Sequence, residues 1–141
     1  MTAGERWRRR VNWANLTTLF GLLVARLGGA ARRPGPAGLI LAEGYRWRFP
    51  TGSAFTLGNV VVTRSDFASL GLRLPRLLDH EARHATQFAW LGLLFFPAYG
   101  VTVVWSLALT GDRAARCVFE RGAGLADGGY EEVPIRALWR G

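Results

Sequence analysis

The two histidines of the chain, His80 and His84, lie four residues apart, and Glu81 directly follows the first of them. Residues four apart share one face of a helix, so both imidazoles could reach a single metal ion. A carboxylate at the position of Glu81 lies at the edge of that face, where it can take a proton from a metal-activated water. Two imidazoles and a further carboxylate suit zinc and leave a fourth position for water. The spacing therefore predicts a catalytic zinc site on a helix.

Two downstream residues could complete or support this site. Gln87 falls on the same helical face as His80, where it could orient a ligand or contact the substrate. Glu120 follows a long apolar segment, and it comes alongside the histidines if that segment folds back as a hairpin. Asp127 is the rival carboxylate, in a stretch rich in glycine. Glu120 also has a plainer interpretation, as a surface ion-pair partner of Arg116 four residues earlier.

Two tyrosines follow the histidines. A tyrosine hydroxyl can stabilise negative charge on a substrate oxygen. Tyr130 is for this reason a candidate for contact with the substrate or support of the site, whereas Tyr99 is interpreted as a packing residue.

The sequence HEARH at 80–84, together with Glu120, resembles the zincin metallopeptidases of the gluzincin type, in which a downstream glutamate on a second helix is the third ligand. The resemblance implies zinc bound by His80, His84 and Glu120, with Glu81 as the residue that activates water. It also implies a peptide or protein substrate, bound in extended form along an edge strand of a sheet that precedes the helix.

Three positions depart from the usual zincin pattern. Ala82 replaces a bulky apolar residue, Arg83 stands where charge is avoided, and Gly124 occupies the place of an aspartate. The chain is also similar to small bacterial membrane-associated proteins that carry H-E-x-x-H-x-x-Q before an apolar segment. That similarity implies a location at the bacterial inner membrane, either inserted or peripheral.

The elements that must position these residues indicate an α+β fold. Residues 39–63 predict a small antiparallel β meander, because β-branched and aromatic residues alternate with turn signals at Gly44, Thr51-Gly52 and Gly58-Asn59. Pro75 begins the helix that carries the histidines. The class expected is therefore a minimal zincin-like domain, with the metal helix running into an apolar helix or helical hairpin.

The apolar segment 85–111 contains no charged residue and is long enough to span a bilayer. Trp90 and Trp105 near its ends favour membrane insertion. Pro97 and Gly100 near its middle allow the alternative of two shorter helices packed as a hairpin. Residues 1–33 predict a basic, amphipathic and uncleaved helical segment, and residues 34–141 a single domain.

Composition excludes several classes of protein. The 141 residues suffice for one domain, and 50% hydrophobic with 20% charged residues excludes a disordered chain. The single cysteine excludes an internal disulfide and a cysteine-based zinc cluster. The net charge of +8, carried by arginine without lysine, suggests an anionic partner. Because no nucleic-acid-binding motif accompanies the arginines, membrane lipid is the expected partner and nucleic acid is not.

These features predict a small zinc-dependent hydrolase at a membrane surface. The alternative is a non-enzymatic membrane-associated protein in which the histidine motif is degenerate or holds a structural metal.

Overall fold

The computed structural model describes residues 1–139, and within them the chain forms six α-helices and a four-stranded sheet. The α+β class predicted from the sequence is confirmed. The helices are α1 Ala3–Ala14, α2 Thr17–Leu27, α3 Phe67–Arg73, α4 Leu77–Leu91, α5 Phe95–Thr110 and α6 Val118–Ala123. The strands are β1 Ala31–Pro34, β2 Ile40–Glu43, β3 Phe55–Leu57 and β4 Val60–Val62.

The sheet differs in one respect from the antiparallel meander predicted for residues 39–63. Its order is β1-β2-β4-β3, and the central pair, β2 with β4, is parallel, whereas both outer pairs are antiparallel. The reason is that residues 44–54 form one long connection rather than two tight turns around a strand. This connection returns the chain to β3 at the outer edge, and the hairpin at Gly58, where φ is +62°, then places β4 beside β2.

Both faces of the sheet are buried at the central strand β4, which explains why β4 is three consecutive valines rather than an alternating sequence, whereas β1 at the edge is exposed. Leu41 and Val61 pack against α3 and α4 on one face. Val60 and Val62 pack on the other face with Ala25 of α2. The helix that carries the two histidines is thus seated directly on the sheet.

Helix α1 is attached to α4 through hydrogen bonds that end on α4 backbone carbonyls. Three side-chain donors of this kind are spaced along the helix and just after it: Arg8 to Ala82 O at 3.3 Å, Asn12 to Ala85 O at 2.8 Å and Asn15 to Phe88 O at 3.1 Å. Arg8 and Asn12 are buried. Strand β1 runs across residue 33, where the sequence placed the end of the N-terminal segment, and that division stays a prediction.

The helical run Leu77–Thr110 is long and apolar enough to cross a membrane by length and composition. Its backbone is nevertheless bent at Gly92, where φ is +56°. In a straight helix His84 and Tyr99 would be about 22 Å apart, whereas their ring centroids lie 6.5 Å apart. The run is therefore a helical hairpin, the second of the two arrangements expected from the sequence.

The bend lies at Gly92 rather than at Pro97. Pro97 instead occupies the first turn of α5, where a backbone N–H has no partner within the helix and its loss costs little. Gly92 adopts a backbone conformation that residues other than glycine rarely adopt.

A large apolar surface remains exposed around this hairpin. In the most apolar stretch of the run only 11% of the residues are buried. Phe20 of α2 meets Phe96 of α5 with ring centroids 5.6 Å apart, so that the exposed sides of the two helices are continuous. We call this surface the apolar face; its exposed members are Leu19, Phe20, Leu23, Trp90, Leu93, Leu94, Phe96, Val101, Val104 and Trp105.

Candidate metal centre

His80 and His84 project from successive turns of α4 and meet Glu120 of α6. The two Nε2 atoms lie 3.0 Å apart. Glu120 Oε2 lies 3.2 Å from Nε2 of His80 and 3.3 Å from Nε2 of His84. All three side chains are buried, and together they could hold a metal ion. Glu120 is therefore not the surface partner of Arg116 that the alternative interpretation required.

The three distances match the edges of a tetrahedral coordination shell. With bonds of about 2.0–2.1 Å from a divalent ion to nitrogen or oxygen, neighbouring ligand atoms in a tetrahedron are about 3.3 Å apart. Three donor atoms at nearly equal spacing form one triangular side of such a shell. The fourth corner is left for a ligand that residues 1–139 do not supply.

The second nitrogen of each imidazole is held by its own acceptor. His80 Nδ1 donates to Gly124 O at 2.9 Å, and His84 Nδ1 donates to Gln87 Oε1 at 2.8 Å. The Gln87 amide is oriented in turn, because its Nε2 donates to Phe119 O at 3.0 Å. These partners assign the protons to Nδ1, so that both Nε2 lone pairs point at Glu120.

Three electron-pair donors facing one another in a buried space require a positive charge between them. Burial alone would lower the pKa of His80, but its bond to Glu120 outweighs this and raises the pKa. Burial alone would raise the pKa of Glu120, but the bonds with His80 and His84 outweigh it and hold that pKa well below its usual range. A proton and a metal ion would therefore compete for the same place.

Tyr99 fixes the other oxygen of the Glu120 carboxylate. Its hydroxyl donates to Glu120 Oε1 at 2.5 Å. The interpretation of Tyr99 as a packing residue was therefore incomplete: its ring stacks on Phe95, but its hydroxyl orients the carboxylate. The sequence signal for this role was a tyrosine within an apolar segment that could fold back toward two histidines.

The turn after α6 explains two departures from the zincin pattern. At Gly124, where the pattern has an aspartate, the backbone carbonyl accepts the hydrogen bond from His80. Arg83 lines no part of the cavity; its Nη1 donates to Ala123 O at 2.7 Å and to Asp127 Oδ2 at 2.8 Å. Asp127, the rival carboxylate, is thus bound to Arg83 and lies outside the cluster of donors.

Glu81 is buried beside the cluster and lines the same cavity. Its Oε2 accepts a hydrogen bond of 2.6 Å from the hydroxyl of Thr56 on β3. Burial raises the pKa of Glu81 above its usual range. A raised pKa suits a carboxylate that must accept and then release a proton near neutral pH. Sequence reasoning did not single out Thr56, which looks like any β-branched strand residue.

The cavity has a volume of about 430 Å³ and lies between α4, α5 and the edge strand β3. Its walls are largely apolar, with Phe55, Leu57 and Val103 among them. Tyr130 lines it at 6.1 Å between ring centroids from His80, and burial raises the pKa of its hydroxyl to about 12. Tyr130 is therefore a neutral hydroxyl group within the cavity, apart from the three donors.

Comparison with protein-family models, curated proteins and solved structures finds no match for this chain. The resemblance to the zincins therefore depends on residues 80–84 and Glu120, and membership of that family stays a prediction.

Proposed function

We propose that the chain is a small zinc-dependent hydrolase of the gluzincin type, acting on peptide bonds at a membrane surface. The observation that carries this proposal is the triangle of His80, His84 and Glu120, with edges of 3.0–3.3 Å around one point. Two imidazoles with one carboxylate are a typical ligand set of catalytic zinc, which keeps a fourth position open.

The surrounding bonds favour a working metal site over an accidental cluster. Gly124, Gln87 and Tyr99 each hold one polar atom of a ligand side chain, as the partners of metal ligands commonly do. Zinc bound there would supply Lewis-acid polarisation of a substrate carbonyl.

Glu81 is the residue proposed to move the proton. The Thr56 hydroxyl holds Oε2, and this leaves Oε1 free to accept a proton from the attacking water. In hydrolysis of a peptide bond that proton is then delivered to the leaving amine, while the hydroxyl of the water joins the carbonyl carbon. Gln87 positions His84, and Tyr130 is proposed to donate to the substrate.

Zinc content and hydrolysis of a peptide library, measured side by side, test this function. We expect about one zinc per chain and detectable cleavage for the natural sequence. The variant Glu81→Gln should keep the zinc and lose activity by at least about a hundredfold. Glu131→Gln, which removes an exposed carboxylate, is the matched control and should change neither.

Each outcome separates the function from its alternative. Full activity in Glu81→Gln would refute the role of Glu81. Bound zinc without cleavage by the natural sequence would instead support a structural metal in a non-enzymatic protein. The absence of zinc from protein purified without chelator would refute the metal centre.

We further propose that the protein lies peripherally on the bacterial inner membrane through the apolar face. Helix α5 has 16 residues and is about 24 Å long, less than the roughly 30 Å thickness of a hydrocarbon core. Exposed tryptophan near arginine is typical of the headgroup region: Trp7 of α1, next to the exposed Arg6, lies 4.9 Å from Trp90 between ring centroids.

Sedimentation with lipid vesicles tests the membrane proposal independently of zinc. We expect binding to vesicles that contain anionic phosphatidylglycerol, weaker binding to vesicles of phosphatidylcholine alone, and loss of both in Leu94→Asp. Leu72→Asp on α3, also exposed but outside the apolar face, should bind as the natural sequence does. Equal binding by both variants would refute the proposed surface. That the protein does not bind nucleic acid stays a prediction.

A further inference from the structure

Arg113 lies in the connection between α5 and α6 and lines the cavity beside Tyr130. Its guanidinium is held in place by Thr51, because Nη1 donates to the hydroxyl at 2.9 Å and Nη2 to the carbonyl at 3.1 Å. Nη2 also lies 3.4 Å from the Tyr130 hydroxyl, and Cζ lies 5.7 Å from the centroid of that ring. The position of this cation is therefore defined by the protein.

No carboxylate of the described residues forms an ion pair with Arg113. A guanidinium has five N–H groups, and three are engaged with Thr51 and Tyr130. A fixed cation with free donors, at the edge of a largely apolar cavity, is suited to bind an anion.

Tyr130 is close both to Arg113 and to the proposed metal site of His80, His84 and Glu120. The centroid of its ring lies 6.1 Å from that of His80 and 5.7 Å from Arg113 Cζ. An extended peptide advances about 3.5 Å per residue. An anionic group at Arg113 would thus belong to a residue close in sequence to the carbonyl placed at the cluster.

We infer that Arg113 binds the free C-terminal carboxylate of a short peptide whose cleaved bond lies at the proposed metal site. This inference rests on the proposed function and narrows its substrate class. A carboxylate can accept charge-assisted hydrogen bonds from the two guanidinium N–H groups that Thr51 and Tyr130 leave unengaged. A volume of about 430 Å³ accommodates a small ligand rather than a long polypeptide. The apolar walls at Leu57 and Val103 suit an apolar side chain of that peptide.

The test compares two probes that differ only at the C-terminus: N-acetyl-Ala-Leu with a free carboxylate, and the same peptide as its amide. Binding is measured by calorimetry with zinc-loaded protein that carries Glu81→Gln, so that neither probe is consumed. We expect the carboxylate to bind at least about tenfold more tightly, as charged hydrogen bonds to a fixed partner allow. Equal binding of the two probes would overturn the inference.

Substitution assigns the preference to Arg113. Arg113→Gln should reduce the ratio of the two affinities to about one, and Arg113→Lys should retain part of it. Arg73→Gln, which removes an exposed arginine at the end of α3, is the matched charge control and should leave the ratio unchanged. A preference that survives Arg113→Gln would show that zinc or another group binds the carboxylate. If Arg113→Gln fails to fold, the ratio in Arg113→Lys decides.

Failure of this inference and failure of the proposed function give different results. Protein that binds zinc and prefers the carboxylate through Arg113, yet cleaves no peptide, would refute the hydrolase and leave the carboxylate site. A hydrolase that binds and cleaves free and amidated peptides equally would refute the carboxylate site alone.

Discussion

Helix α4 is used in two different ways along its two packed sides. One side carries His80, Glu81 and His84 into the cavity, and every one of these side chains has a defined partner. The other side presents backbone carbonyls, which accept hydrogen bonds from Arg8 and Asn12 of α1, and the Trp90 ring, which contacts Trp7. The proposed chemistry of α4 thus depends on its own side chains, whereas the hydrogen bonds that join α4 to α1 are donated by side chains of α1.

The largest effect is expected on the side that faces the cavity. His84→Ala removes one of three donors, so zinc should fall from about one per chain to almost none. The fold should persist, because α4 keeps its seat on the sheet and its bonds to α1. Elemental analysis and circular dichroism measure the two quantities. Zinc retained at one per chain would show that the ligands lie elsewhere.

On the α1 side, Asn12→Ala should reduce stability and leave the chemistry intact. Asn12 is fully buried and donates to Ala85 O and, at 3.1 Å, to Asn59 Oδ1. The loss of both hydrogen bonds, together with a buried Asn59 Oδ1 left without this donor, costs about 3 kcal/mol in free energy of unfolding. Urea denaturation measures this cost. Asn15→Ala, at a half-buried position, should cost less, about 1 kcal/mol.

The zinc affinity of folded Asn12→Ala should stay close to that of the natural sequence. A variant of normal stability that had lost zinc would show that α1 contributes to the site itself.

A smaller effect is expected at Gln87, which supports His84 without being a proposed ligand. Gln87→Ala removes the acceptor for His84 Nδ1 and should weaken zinc binding by about 10- to 100-fold. Competition with a chelator measures the affinity. Thr86→Ala, next to it on α4 and bonded to the carbonyl of Ala82, is the control. Equal zinc affinities in the two variants would contradict a role for Gln87.

The smallest effect is a pH dependence of the melting temperature of metal-free protein. The raised pKa of His80 stabilises the fold below about pH 6.5, and this contribution is lost as pH rises through the folded pKa. The lowered pKa of Glu120 stabilises it above about pH 4.3, and this is lost in acid. The raised pKa of Glu81 adds to the decline at higher pH, because burial disfavours its charged form.

The melting temperature should thus fall from pH 6 to pH 8 without metal. Zinc should reverse this trend, because it takes the place of the shared proton. The affinity of the site for zinc therefore rises with pH as His80 loses its proton. A metal-free melting temperature that rises over the same interval would contradict the assignment of the shared proton.

The sequence predicted the side of α4 that faces the cavity better than the side that α1 holds. The spacing of His80 and His84 places them on one face of any helix, and a hairpin brings Glu120 within reach. A break was expected near the middle of the apolar segment, at Pro97 and Gly100; Gly92 could not be chosen without knowing which backbone angle the turn requires. The hydrogen bond from Asn12 to α4 could not be predicted from the sequence of α4, because its acceptor is a backbone carbonyl, which every residue has.

The sheet shows the same limit. Strand β4 is evident from its valines, but whether a neighbour runs parallel or antiparallel depends on the path of residues 44–54, which have no periodic pattern. The roles of Thr56, Tyr99 and Arg113 likewise depend on tertiary contacts, since each looks ordinary where it stands in the sequence.

The bend at Gly92 makes two uses of the run Leu77–Thr110 mutually exclusive. Tyr99 reaches the Glu120 carboxylate only because α5 turns back toward α4. A straight helix of 34 residues would traverse a bilayer and carry Tyr99 roughly 22 Å from His84, out of reach of that carboxylate. The same residues can span a membrane as one straight helix or bring Tyr99 to Glu120 beside the histidines, but they cannot do both at once.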